Sequence, residues 1–261
     1  MLHTLYAALV FYTALPIAPQ QPLNFSGIAW FAPLVGLVIG LGLTGINWVL
    51  SHLFTSSALP ALGVVLAWIA LSGGLHLDGV MDSADGLAVT DPQKRLAVMA
   101  DSLTGAYGVM AAIALILLKF ASLIELASLN HALSGLVLTL APAWGRWAQL
   151  YTIGYHPYLK AEGKGKFHQQ GIGSGQIWTS ALGLVLAASA IAVVDLNLGW
   201  QSLGLGSFNL VIGMAIAHWF NFKLGGQTGD TYGAIVEWTE AVSLVAGAIL
   251  IKIICAVKPG F

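Results

Sequence analysis

The chain is built from apolar runs of helical length separated by short polar turns, and that pattern leaves very few folds open to it. The runs at 28–50, 59–75, 107–126, 131–151, 177–194, 205–222 and 236–257 are long enough, or nearly so, to cross a bilayer. None alternates with the two-residue period of a membrane barrel, so the backbone must satisfy its own hydrogen bonds as helices. Charge is correspondingly scarce, at 8% of residues against the quarter usual in soluble domains. A further apolar segment at 2–17, closed by Pro16 and Pro19, crosses tilted or lies at the interface. The expectation is an all-α fold, a polytopic membrane helix bundle of about 7–8 spans with short cytoplasmic active-site helices and loops, forming one integral membrane domain over 1–261. Gly36, Gly40, Gly42 and Gly45 in the run at 28–50 are spaced for close helix contact.

Against that background the placement of acids is conspicuous. The protein has 11 Asp and Glu, and Asp78, Asp82, Asp85, Asp91 and Asp101 fall within one segment, 72–105. Asp78, Asp82 and Asp85 stand at i, i+4 and i+7 and so share one face of a helix. Carboxylates held side by side repel, and a bound cation removes the penalty. Oxygen ligands suit Mg²⁺ or Mn²⁺; zinc would call for His and Cys, and Cys255 is the single cysteine. That count also excludes an internal disulfide. The alternative is a solvated helix end with Asp85-Gly86 as its C-cap. The apolar flanks favour the metal, because ionisable groups at a membrane boundary are costly and usually functional.

Parity of the crossings brings three segments to one face: the aspartate segment, the polar loop at 154–176 and the Gly-rich loop within 223–236. Lys94, Arg95, Lys160, Lys164, Lys166 and Lys223 share that face, which makes it cytoplasmic by the positive-inside rule. In the loop Gly225-Gly226-Gln227-Thr228-Gly229-Asp230 the glycines leave backbone N–H groups free to wrap a phosphate, with Asp230 as a further metal ligand; an ordinary inter-helix loop is the plainer reading. Asp91-Pro92 marks a helix start, with Asp101 near that helix's end. Arg146 lies in an apolar run and needs an anion, either a diphosphate or an internal acid. Glu237 is placed to contact metal or ribose, while Glu240 suits helix capping; Lys119 snorkels or pairs with an acid, and His76 beside Asp78 orients a ligand or acts as a base. The Lys160–Lys166 stretch reads as a lid or as ordinary topology charge. Net charge is −1 with no basic run, so nucleic acid is not an expected partner. Met1-Leu2-His3-Thr4 lacks the basic start of a cleavable signal peptide, and no internal repeat supports an inverted-repeat transporter.

The run Gly73-Gly74-Leu75-His76-Leu77-Asp78-Gly79, then Asp82 and Asp85-Gly86, resembles the signature of the cobalamin synthase family, the adenosylcobinamide-GDP ribazoletransferases. Asp101-Ser102 with Gly105-Ala106-Tyr107-Gly108, Ala141-Pro142-Ala143 with Gly145-Arg146, and Gly225-Gly226 with Thr228-Gly229-Asp230 extend the resemblance in order along most of the chain. Two places depart from it: Leu103-Thr104 stands where the resemblance implies an arginine and an aliphatic residue, and Gln227 where it implies an arginine. The resemblance implies a Mg²⁺-dependent phosphotransferase of a prokaryotic inner membrane, multi-pass with its active face cytoplasmic. It joins adenosylcobinamide-GDP to α-ribazole or its 5′-phosphate, releasing GMP and forming adenosylcobalamin or its 5′-phosphate. Carried onto this chain, Asp78, Asp82, Asp85 and Asp101 are catalytic residues and, with Asp230, metal ligands; His76, Arg146, Gly225, Gly226, Thr228, Gly229 and Glu237 bind substrate. The partners implied are the two substrates and the lipid bilayer, with homo-oligomerisation left open. Two rivals stand beside this reading. A CDP-alcohol phosphotransferase would place Ala-Arg after its Asp-Gly pair, where this chain has Asp82-Ser83, and a cation-coupled transporter would place its charges near the bilayer midplane.

Overall fold

A computed structural model describes residues 1–17, 19, 22–160, 171–194 and 199–257. Lys164, Lys166 and the polar turn at 195–197 lie outside the described residues, as do the side chain of Cys255 and most of the lid segment. The described chain is all helical, with one isolated backbone bridge between Tyr158 and Gln227.

The order is α1 Leu2–Tyr12, a 3₁₀ turn Ile28–Phe31 leading into α2 Ala32–Leu53, α3 Ala58–Ser72, α4 Leu75–Ala88 and the four-residue α5 Arg95–Val98. Then come α6 Ala106–Ala127, α7 His131–Tyr155, α8 Ser174–Val194, α9 Gly199–Leu224 and α10 Gly229–Val257. The helical class expected from the apolar runs is therefore present. The count of 7–8 spans is not confirmed. Among the described residues, three helices are long and apolar enough to cross a membrane: α2 with its leading turn, α6 and α10; a fourth follows if the bent pair α3–α4 is one span. α7 is 25 residues long but mixes Trp, Gln, Thr and Arg146 into its apolar face, because it runs through the middle of the bundle and its neighbours are other helices. From Leu136 to Ile153 nearly every one of its side chains is buried.

Small residues set how closely the helices approach. A side chain at Gly36 or Gly40 would collide with the α7 backbone at Pro142 and Thr139, so α2 lies directly on α7; Gly42 and Gly45 face open space instead. Pro142 sits inside α7 at this crossing.

The break between α3 and α4 positions the site. Gly73 and Gly74 take φ of +64° and +71°, a left-handed pair open to glycine, and the amide N–H groups of Gly73 and Gly74 close α3 by donating to the Ala70 and Ile69 carbonyls. The chain turns through 89°. The apolar run expected to end at residue 75 thus stops at Ser72, and α4 runs at a right angle to it, packed on α10 and α6. The helix expected from Asp91 is shorter than read. Asp91 Oδ1 accepts the Gln93 amide as foreseen, but the helix ends at Val98 and Asp101 stands in the following loop.

Candidate active site between α4 and α10

Asp78, Asp82 and Asp85 stand on α4, and Asp82 lies within the field of Asp230 at the start of α10. A Cβ on Gly79 would strike the Asp230 carbonyl oxygen, and one on Gly233 would come within 3.0 Å of the His76 backbone. Glycine at both contact points lets α4 and α10 touch along their backbones, so Asp230 reaches the early acids despite a separation of about 150 positions in the chain. Asp82 lies in the field of all three neighbours. Burial, then the carboxylates of Asp78, Asp230 and Asp85, push its carboxyl up to about 6, against a smaller downward pull from Lys160.

The four acids differ in how far they are already engaged. Asp85 is fully committed: its Oδ2 accepts the Gly105 amide at 2.7 Å and its Oδ1 the Gly108 amide at 2.8 Å. Both donors belong to the first turn of α6, whose unpaired N–H groups and positive dipole end favour a carboxylate. Asp85 thus fastens α4 to α6, a task the spacing alone did not reveal. Asp230 Oδ2 accepts from Lys160 Nζ at 3.1 Å and from Thr228 Oγ1 at 3.2 Å. Asp78 is exposed and Asp82 half-buried, and these two keep their oxygens open. Asp101 is exposed, with Oδ1 taking the Leu103 amide at 3.1 Å.

The donor set suits a hard cation, since it consists of carboxylate oxygens in one another's field. Among the described residues no group of three or more His, Cys, Asp or Glu side chains is placed to hold a metal ion by itself. That is compatible with Mg²⁺, which ordinarily takes one or two carboxylates and fills its octahedron with water and substrate phosphate.

The Gly-rich loop is used differently from the expectation of a free phosphate cradle. The Gly225 amide donates to Asn221 O, the Gln227 amide to Pro157 O and the Thr228 amide to Thr231 Oγ1, so these three N–H groups are engaged inside the protein. Thr228 and Thr231 exchange bonds as the start of α10, and Gly229 opens that helix. Gly226 is buried, and a Cβ there would meet the Leu159 side chain. Gln227 is fully buried with Nε2 directed at Ala217 O.

Arg146 and Glu237 belong to a second assembly inside the bundle. Lys119 Nζ on α6 donates to Glu237 Oε2 and Glu240 Oε2, both at 2.7 Å, and Arg146 Nη1 on α7 donates to Glu240 Oε1 at 2.9 Å. All four side chains are at most 6% exposed. The glutamates stand two turns and more into α10, because that helix begins at Gly229, so neither caps it. Of the readings open for Arg146 and Lys119, the structure displays internal ion pairing; Glu237, expected at metal or ribose, is bonded to Lys119 instead. Arg146 Nε and Nη2 and His76 Nδ1 are buried without a protein partner.

Comparison with known proteins gives a consistent result. A family model described as cobalamin-5-phosphate synthase matches residues 4–248. A Trichormus variabilis protein named adenosylcobinamide-GDP ribazoletransferase is 48% identical over 258 residues, covering 96% of this chain and 98% of that one. Proteins of the same name from Synechococcus elongatus and Brevibacillus brevis are 49% identical over 244 residues and 38% over 248, covering 93% and 91% of this chain and 94% of each relative. No solved structure matches.

Proposed function

The chain belongs to the cobalamin-5-phosphate synthase family, and from that premise we infer that it joins adenosylcobinamide-GDP to α-ribazole or its 5′-phosphate with release of GMP. The observation that carries the site assignment is the meeting of Asp78 and Asp82 on α4 with Asp230 on α10, a cluster of acids with too few cations of its own.

A hydroxyl oxygen of the ribazole ribose bonds to the cobinamide-bearing phosphorus, the bridging P–O bond breaks toward the guanosine side, and GMP departs with the bridging oxygen. Asp78 and Asp82, with Asp230 opposite, would hold Mg²⁺, which when bound neutralises diphosphate oxygens and the charge growing on GMP. The chain's own residues do the rest. Asp85 does not touch substrate in this scheme; by accepting the Gly105 and Gly108 amides it fixes the rotation of α4, and so the direction in which Asp78 and Asp82 point. The exposed carboxylate of Asp101 takes the proton of the attacking hydroxyl. The same end of the bundle faces the cytoplasm of a prokaryotic inner membrane, where nucleotide substrates reside.

Incubation of the purified protein with adenosylcobinamide-GDP, α-ribazole and Mg²⁺ should release GMP in equal amount to the corrinoid product. EDTA should stop it. GMP release that continues at full rate in EDTA rejects the metal assignment, and no release under any divalent cation rejects the activity.

A further inference from the structure

A diphosphate brings negative charge to a pocket already rich in carboxylates, so the site needs a side-chain cation besides any metal. Few of the basic residues are free to serve. Lys119 lies between Glu237 and Glu240, and Arg146 is buried against Glu240. Arg95 spends Nε on the Val89 carbonyl and Nη1 on that of Lys223. Lys94 sits by Asp91, Lys252 beside Glu125, and the exposed Lys223 lies over the Trp219 and Phe222 rings, with no rim aspartate in contact. Gln227 is buried and Leu103 exposed, and neither side chain carries charge.

Lys160 is different. Its Nζ lies 3.1 Å from Asp230 Oδ2, and it is the one cation among the described residues in contact with a rim aspartate. Its backbone is tied to the Gly-rich loop: Leu159 N donates to Gln227 O and Gln227 N to Pro157 O, each at 2.8 Å, and the Tyr158 ring lies against Tyr232 at 5.8 Å. This anchoring lowers the entropy lost when a flexible lysine is held in place. The ammonium has three N–H donors, of which Asp230 takes one, and the side chain is 32% exposed.

We propose that Lys160 binds the diphosphate of adenosylcobinamide-GDP, supplying the positive charge that Gln227 and Leu103 do not. The inference rests on the ribazoletransferase reading and assigns a substrate contact within it. The loop at 157–160 and the Gly-rich loop then act together, one bringing the cation and the other the carboxylate that orients it.

Binding tests this without turnover. Adenosylcobinamide-GDP is coloured, so its retention by the protein can be read by ultrafiltration in EDTA with no ribazole present. Lys160→Met should weaken binding about tenfold or more, the usual scale of a lost charge-assisted hydrogen bond, while Lys160→Arg stays within about threefold. Adenosylcobinamide without the GDP moiety should bind both variants as it binds wild type. If Lys160 merely neutralises Asp230, adding Asp230→Asn to Lys160→Met restores binding, which overturns the proposal; a double variant as weak as the single one supports it. Unchanged affinity in Lys160→Met overturns it as well. Should Lys160→Met not fold, Lys160→Gln and Lys160→Arg give the same comparison. A wild type that binds adenosylcobinamide-GDP no better than adenosylcobinamide in EDTA overturns the Lys160 contact, and one that does so in Mg²⁺ as well removes the functional reading itself.

Discussion

Acidic and basic side chains meet twice in this molecule, and the two assemblies differ in what each leaves over. Inside the bundle Glu237 and Glu240 face Lys119 and Arg146 with charge in balance and almost no exposure. At the end of the bundle Asp78, Asp82, Asp85 and Asp230 face a single described lysine, and Asp78 and Asp82 remain open. Both assemblies draw on α10, which carries Asp230 in its first turn and the two glutamates further along. The same residue types therefore serve opposite ends. A balanced, dry set fixes how α6, α7 and α10 lie against one another, whereas an unbalanced, wet set awaits ligands.

The sharpest way to break that distinction is Asp82→Asn. It removes one open carboxylate and much of the mutual repulsion, so the fold should hold its thermal midpoint. GMP release should fall about a thousandfold or more, since loss of metal charge stabilisation is worth several kcal/mol. Loss of both fold and activity would mean that the rim is as structural as the interior.

Lys119→Met should do the reverse. It strands Glu237 in the bundle and leaves Glu240 with Arg146 alone, and deleting one partner of a buried pair costs about 3–5 kcal/mol. The variant should unfold in detergent at markedly lower temperature, and the double change Lys119→Met, Glu237→Gln, which leaves Glu240 paired with Arg146, should recover part of the loss. Recovery of stability together with near-normal GMP release would confine the interior set to architecture. An unchanged midpoint in Lys119→Met would show that the buried pair does not hold α6 to α10.

Asp85 lies between the two cases, an acid at the rim used as an interior residue would be. Asp85→Asn keeps one acceptor for the α6 amides and loses the charge, at a cost of about 1–2 kcal/mol. Its effect on GMP release should be about tenfold, through the rotation of α4, with no change in the Mg²⁺ concentration needed for half-maximal rate. A large shift in that concentration would return Asp85 to the metal ligands.

What could be read from the sequence follows the same division. The helical class, the apolar faces and the shared face of Asp78, Asp82 and Asp85 are local properties of spacing, and the match of Asp91 to a helix start is equally local. The pairing of Lys119 with Glu237 and Glu240 joins positions about 120 apart, and spacing says nothing about how two distant helices are rotated. Asp85 was indistinguishable from Asp82 in sequence; only the Gly105-Ala106-Tyr107-Gly108 stretch pointed to its partners, as the place where small residues let amides approach a carboxylate. Gly73-Gly74 signalled the sharp turn, yet the apolar run on either side concealed it, because hydropathy does not register direction. Lys160 resembled any other topology lysine until the bridge at Gln227 brought it to Asp230.

Protons distinguish the rim from its edge by the sign of their effect. His156 is buried beside His218, whose Nε2 lies 3.1 Å from Tyr151 Oη; burial, then His218, holds the His156 ring below its ordinary value of 6.5. The unfolded chain therefore binds the proton more readily, and this contribution to stability is present above about 6.5 and lost as pH falls below it. Asp82 works in the other direction. Its carboxyl is raised from 3.8 to about 6 in the fold, so the folded state holds the extra proton and the acid crowding is relieved as pH falls through 6. In EDTA, wild type should thus lose little stability between pH 7.5 and 5. Asp82→Asn removes the compensating arm and should melt at distinctly lower temperature at pH 5 than at 7.5, and adding His156→Phe should flatten that dependence. A pH profile unmoved by either change would show that neither group differs in proton affinity between the folded and unfolded chain.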